Sequence, residues 1–153
     1  MATRSTIAIE LADGTVRQVY CHWDGYLDHN GKLLLNHYSD PLVAAELINV
    51  GDISSLRETV GEKHPFDARY DATDARYQWT TYYGRDRNEP DCGYKAYKDF
   101  DAYKNEHQYE EFEYVLRTDG FWYVSSYGGE YELLTEAIAE ELRERALEEE
   151  DAE

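Results

Sequence analysis

The sequence predicts one α+β domain: a mainly antiparallel sheet built from two β-hairpins (5–22 and 109–127) plus a strand near 77–83, packed with a helix near 40–50 and a C-terminal helix near 135–148. Three observations carry that prediction. Asp13-Gly14 and Asp119-Gly120 each sit between runs rich in β-branched and aromatic residues, the pattern of a tight hairpin. Ser39-Asp40-Pro41 offers a helix cap followed by a proline in the first turn, and Gly51 is a natural stop. Leu134, Ile138 and Leu142 recur four apart, the stripe of an amphipathic helix.

In chain order, residues 5–11 and 16–22 form the first hairpin around a two-residue turn at Asp13-Gly14. In that register Glu10 faces Arg17, and Ile7, Ile9 and Leu11 share a core face with Val16 and Tyr20. The hairpin ends in Tyr20-Cys21-His22-Trp23-Asp24-Gly25-Tyr26, where Asp24-Gly25 reads as a turn. Trp23 and Tyr26 are expected to pack the hairpin against the helix of residues 42–50. Lys32 to Tyr38 starts a short helix, and Leu42, Ala45, Leu47 and Ile48 are the core positions of the next one. Residues 61–76 lack periodicity and read as an irregular loop, whereas alternation from Tyr77 to Tyr83 suits a strand. A second short helix is expected within 95–107. In the second hairpin Phe112, Tyr114 and Leu116 lie on one face, with Glu111 and Glu113 on the outward one. Tyr131 to Leu133 returns as a short strand. Thr135 caps the last helix, and the acidic residues 148–153 oppose its dipole and should fray.

At 153 residues the chain forms one domain able to bury roughly two-thirds of its unfolded surface. Much of the hydrophobic count comes from fifteen tyrosines, whose rings can enter a core while the hydroxyl stays hydrogen-bonded. The charge is the outlier, at −18. Residues 1–76 hold 12 acids and 7 bases, and residues 77–153 hold 21 acids and 8 bases. A field of that sign repels nucleic acid and anionic membrane and attracts basic protein surfaces. Direct nucleic-acid or membrane binding is therefore not expected. Two distant cysteines, no signal-like apolar run and no membrane-length segment place the chain in a cytoplasm.

Few residues point to chemistry. Cys21, His22, Asp24, Asp28 and His29 crowd together, but their spacing fits no zinc motif, so neither metal nor cofactor is expected. No nucleophile elbow or glycine-rich phosphate loop is present, and Cys21 reads as core packing rather than a nucleophile. Arg85 and Arg87 read either as an anion clamp or as partners of Asp86 and Glu89. The acidic surface is the strongest signal. Eighteen charges match roughly 30 Å of duplex DNA, and a chain of this length has a radius of gyration of ~15 Å.

Five blocks occur in order: residues 2–8 (Ala2-Thr3-Arg4-Ser5-Thr6-Ile7-Ala8), Cys21-His22-Trp23-Asp24-Gly25-Tyr26, Gly51-Asp52-Ile53-Ser54-Ser55-Leu56, Gly61-Glu62-Lys63-His64-Pro65-Phe66-Asp67 and Tyr83-Gly84-Arg85-Asp86-Arg87. Over residues 2–87 they resemble a family of small tailed-phage proteins that has no assigned activity. The resemblance implies an accessory protein made in an infected bacterial host cell and supplies no catalytic residues.

Two functions follow as expectations. In the first, the protein is a non-catalytic, DNA-mimic-like inhibitor or modulator of a basic host or anti-phage defence protein. It binds through Glu111, Glu113, Glu136, Glu140, Glu141, Glu144 and Glu148. In the second, it is a small enzyme or ligand-binding domain whose pocket gathers His22, Trp23, Asp24, His64, Arg85 and Arg87.

Overall fold

The computed structural model describes residues 2–107 and 109–151. The chain runs through β1 (Ser5–Glu10), β2 (Val16–Cys21), a π-helical turn (Leu27–Gly31), α1 (Lys32–His37), α2 (Pro41–Asn49) and β3 (Ile53–Ser55). A 3₁₀ turn (Ala75–Gln78), β4 (Thr81–Tyr82), α3 (Tyr83–Arg87), β5 (Lys95–Tyr97) and α4 (Phe100–Glu106) follow. The last elements are β6 (Phe112–Leu116), β7 (Trp122–Ser126), β8 (Glu132–Leu133) and α5 (Leu134–Asp151). This is an α+β fold on a mixed, mostly antiparallel sheet.

Two hairpins, β1–β2 and β6–β7, lie side by side through a parallel β1–β6 pair, giving the order β4-β3-β2-β1-β6-β7-β8. The outer edge of β2 is used twice, by β5 opposite Val16 and by β3 opposite Cys21.

Both hairpins turn through three residues rather than two. Leu11 N–H donates to Thr15 O at 2.8 Å and Gly14 N–H to Leu11 O at 2.8 Å, with Gly14 at φ +89°. Arg117, Phe121 and Gly120 repeat the arrangement, with Gly120 at φ +86°. This is a type I turn closed by a left-handed glycine, the three-residue alternative open to the same Asp-Gly pair. Asp13 Oδ1 accepts from Thr15 N–H and Asp119 Oδ1 from Phe121 N–H, which fixes the turn chemistry.

The extra loop residue moves the first hairpin's register by one. Ile9, not Glu10, lies opposite Arg17, and Glu10 instead binds Arg117 across the sheet. Ile7 and Ile9 therefore share their face with Val19 and Cys21, while Val16 and Tyr20 point to the opposite one.

The first face packs on α1, α2 and the start of α5. Its core holds Ile7, Ile9, Val19, Cys21, Leu34, Leu47, Ile48, Tyr114, Trp122 and Val124. Three fully buried tyrosines satisfy their hydroxyls on backbone carbonyls: Tyr38 on Arg57, Tyr82 on Leu47 and Tyr114 on Gly25, at 2.6–2.7 Å. In α2, Asp40 caps at 2.9 Å and Pro41 begins the first turn as expected. The buried positions are Ala44, Leu47 and Ile48, and Leu42 faces solvent.

The second face carries Ala8, Val16 and Val115 beneath Phe100, Tyr103, Tyr97 and Tyr131. It is covered as well, and that overturns one expectation. Glu113 is not an outward carboxylate. Its side chain is 1% exposed and bonds His107 Nε2 at 2.7 Å, while His107 Nδ1–H donates to Tyr103 O.

Residues 77–83 also differ from the expected strand. Asp74 caps the 3₁₀ turn through Arg76 N–H, Trp79 makes an isolated bridge to Thr59, and only Thr81–Tyr82 is strand. Buried Asp86 then accepts from Tyr82 N–H at 2.8 Å and pulls the chain into α3.

The apolar stripe of α5 meets the body only at its start. Leu134 and Ala137 are buried, Ile138 is half-buried, and Leu142 and Leu147 are exposed. Helical structure is continuous from Leu134, one residue ahead of the expected Thr135 start, to Asp151. The terminal residues 152–153 lie outside the described part.

Candidate functional site

Two regions bear on function: the acidic helix α5 and a cleft beside the turn that follows β2. On α5, Glu136, Glu140, Glu144 and Glu148 are exposed, stepping four apart along one side. Glu141 is half-buried and held by Arg145, which also reaches Asp28 at 3.4 Å. Glu111 is half-buried beside β6, and Glu113 is enclosed by His107. The expected carboxylate surface thus reduces to the helix.

The cleft is built from the Trp23-Asp24 turn, β3 and the long loop of residues 56–80. The turn is pinned at several points. Asp24 takes φ +57°, Gly25 N–H donates to Thr3 O at 2.8 Å, and Tyr114 closes on Gly25 O. Buried Asn30 places its amide within 3.3 Å of both Trp23 O and Cys21 Sγ. Nothing in the sequence pattern singled out Asn30. Trp23 and Tyr26 are 43% and 39% exposed, so neither ring packs on α2 as expected. The Trp23 indole stands at the cleft mouth with the His22 ring edge-on at 4.6 Å.

The loop is bracketed by Asp86 and Arg85. Asp86 accepts from His64 N–H at 3.1 Å and pairs with Arg85 at 3.0 Å. Arg85 donates to the carbonyls of Val60 and Thr80 at 2.9 and 2.7 Å. Its guanidinium holds backbone and is turned away from the cleft. Gly61 lies so close to Trp79 that a Cβ there would sit 2.3 Å from the indole, which fixes the loop against that ring.

Of the six residues expected in a pocket, Trp23, Asp24 and His64 line this cleft of about 430 Å³. The other three do not. His22 Nδ1 bonds the Tyr20 hydroxyl at 2.7 Å, and burial first, then nearby Arg4, lowers its pKa. Arg85 is the internal bracket. Arg87 pairs with Glu89 and lies 4.4 Å over the Phe66 ring. The cleft instead recruits Arg57, Arg69 and Arg76, with Tyr77 and Trp79. No periodicity marks these residues, because they fall on an irregular loop.

Cys21 is fully buried, and desolvation pushes its thiol up to about 12, so it is no nucleophile at neutral pH. Among the described residues no three His, Cys, Asp or Glu side chains are grouped to hold a metal. No helix among them is long and apolar enough to cross a membrane.

The fold and site define an α+β protein with an acidic helix and an arginine-aromatic cleft. Compared with protein-family models, with curated proteins and with solved structures, the chain matches none.

Proposed function

We propose that the protein acts by binding, as a tailed-phage accessory protein in the cytoplasm of an infected bacterium, occupying the basic nucleic-acid site of a host or anti-phage defence protein. One observation carries this reading. Helix α5 bears eight acids (136, 140, 141, 144, 148–151) over 18 residues. At 1.5 Å per residue that is one carboxylate per about 3.4 Å, the linear charge density of a single DNA strand. Two arginines dilute it, and one of them, Arg145, is engaged with Glu141 and Asp28. From Leu142 to Glu150 the helix residues are exposed, with Arg145 reaching back to Asp28, so Glu144, Glu148, Glu149 and Glu150 are open to solvent together with Glu136 and Glu140.

The test is the triple charge reversal Glu136→Lys, Glu140→Lys and Glu144→Lys. All three side chains are exposed, so the melting temperature should hold within a few degrees. Capture of basic nucleic-acid-binding proteins from infected-host lysate should be lost, as should competition with duplex DNA for them. Wild-type binding should weaken steeply between roughly 50 and 200 mM salt, where surface charges become screened. Equal capture by wild type and the triple variant sinks the mimic reading.

A second reading, a small enzyme or ligand-binding domain, is favoured by the convergence of Trp23, Asp24 and His64 on one cleft.

A further inference from the structure

We propose that the cleft between the Trp23-Asp24 turn and the 56–80 loop is a binding site for a mononucleotide whose base carries an amino group. The inference rests on the ligand-binding reading and names its ligand class.

Three chemistries meet there. The first is an aromatic platform. Trp23 leaves 43% of its surface exposed at the mouth, braced by His22, which is itself hydrogen-bonded to Tyr20. An exposed indole beside a cleft is a stacking surface for any base, and such stacking is sequence-tolerant.

The second is a pair of free guanidinium groups. Arg76 is engaged by Asp74 through two bonds at 2.7 and 3.0 Å and lies over Tyr70. Arg57 and Arg69 have no carboxylate partner among the described residues, and the Arg57 guanidinium is oriented 5.1 Å over the Tyr77 ring. A planar guanidinium with unused donors grips a phosphate through two parallel bonds.

The third is a pair of carboxylates, Asp24 and Asp67, in the same lining. Neither side chain has a hydrogen-bond or ion-pair partner among the described residues. They repel a bare anion, which argues against an inorganic phosphate site. They accept from exocyclic amino groups, as carboxylates do from cytosine. A ligand that separates a phosphate from an amino-bearing ring satisfies both signs of charge at once. The volume of about 430 Å³ lies within the range of small-molecule sites and excludes a duplex.

None of these residues lies on α5, so the cleft and the acidic helix stand or fall separately. The experiment is isothermal titration of the full chain with AMP, GMP, CMP, UMP, the matching nucleosides and inorganic phosphate. Saturable binding of AMP, GMP or CMP is expected, with UMP about tenfold weaker for want of the amino contact. Trp23→Ala should weaken binding roughly 5- to 150-fold with the melting temperature held, and Trp23→Phe should recover most of it. Arg69→Ala should cost nucleotides more than nucleosides. The proposal is overturned if no nucleotide gives saturable heat at millimolar concentration. It is equally overturned if phosphate alone binds as tightly, or if Trp23→Ala binds like wild type. Any of these leaves the charge-reversal result on α5 untouched.

Discussion

On one face of the central sheet, Ile7, Ile9, Val19 and Val124 meet three helices, and the buried polar groups among them are neutral: three tyrosine hydroxyls and the Trp122 indole N–H bonded to backbone carbonyls, with Ser5 and Asn30 at one end. On the other, Ala8, Val16 and Val115 share a layer with Gln18, Glu113, Ser125 and His107, all buried. The two faces exclude water by different means. The first does it with apolar surface, so its stability is spread over many side chains. The second does it with a few aromatic lids over a polar network, so its stability is concentrated in a few bonds. Deletions on the two faces should therefore differ in size.

The largest effect is expected at the buried His107–Glu113 pair. Glu113→Ala leaves His107 enclosed without its carboxylate and should cost about 3–5 kcal/mol by denaturant unfolding. Replacing both with leucine should recover most of that loss, because an apolar pair of similar volume leaves no unpartnered polar group enclosed. A single-variant cost below about 1 kcal/mol would mean that water reaches the pair and the second face is not sealed. Next comes Ile7→Val on the first face, expected to cost about 0.5–1.5 kcal/mol, the ordinary price of one buried methylene. If it matched Glu113→Ala, the contrast between the faces would be lost.

The smallest effect is at Asp52, on the sheet margin, where Oδ1 accepts from Tyr20 N–H at 2.9 Å. Burial raises its carboxyl above the ordinary aspartate value. The folded state then holds this proton to higher pH than the unfolded chain does. Its contribution to stability is favourable at low pH and falls away as pH rises from about 3.8 through the raised value. Asp52→Asn keeps the acceptor and removes the charge. The variant should melt slightly above wild type at pH 7, with the difference closing as pH falls towards 4. A gap independent of pH would remove the charge from the explanation.

This contrast also explains which parts of the sequence were legible. Asp13-Gly14 and Asp119-Gly120 announced both hairpins, and Asp40-Pro41 announced α2, because each signal is local. The register was not legible. The same dipeptide serves a two- or a three-residue loop, and only the pairing of Leu11 with Thr15 distinguishes them. Alternation in β6 separated Glu113 from Phe112 and Tyr114 correctly, but period two does not reveal whether the second face is covered. The lid that covers it comes from residues 97–107 and Tyr131. Tyr77 to Tyr83 alternates like a strand, yet Asp74 and Asp86 divert it through side-chain bonds to backbone N–H groups. In the cleft, Trp23, Asp24 and His64 were visible as unusual residues in short blocks. Arg57, Arg69 and Arg76 were not, since only the loop's path brings them together.

The parallel pairing of β1 with β6 sets Ser5 opposite Phe112, 107 residues further along the chain. During synthesis at ~5–20 residues per second, the first hairpin must wait roughly 5–20 s for its central neighbour. Through that interval one edge of β1 lies open, with Ile7 and Ile9 alongside, as a template for pairing with other chains. Closing so distant a contact also makes the sheet's centre slow to form after denaturation, since loop entropy must be overcome before the contact stabilises anything. The order of elements along this chain therefore places its greatest exposure to aggregation at birth, before the acidic final helix has left the ribosome.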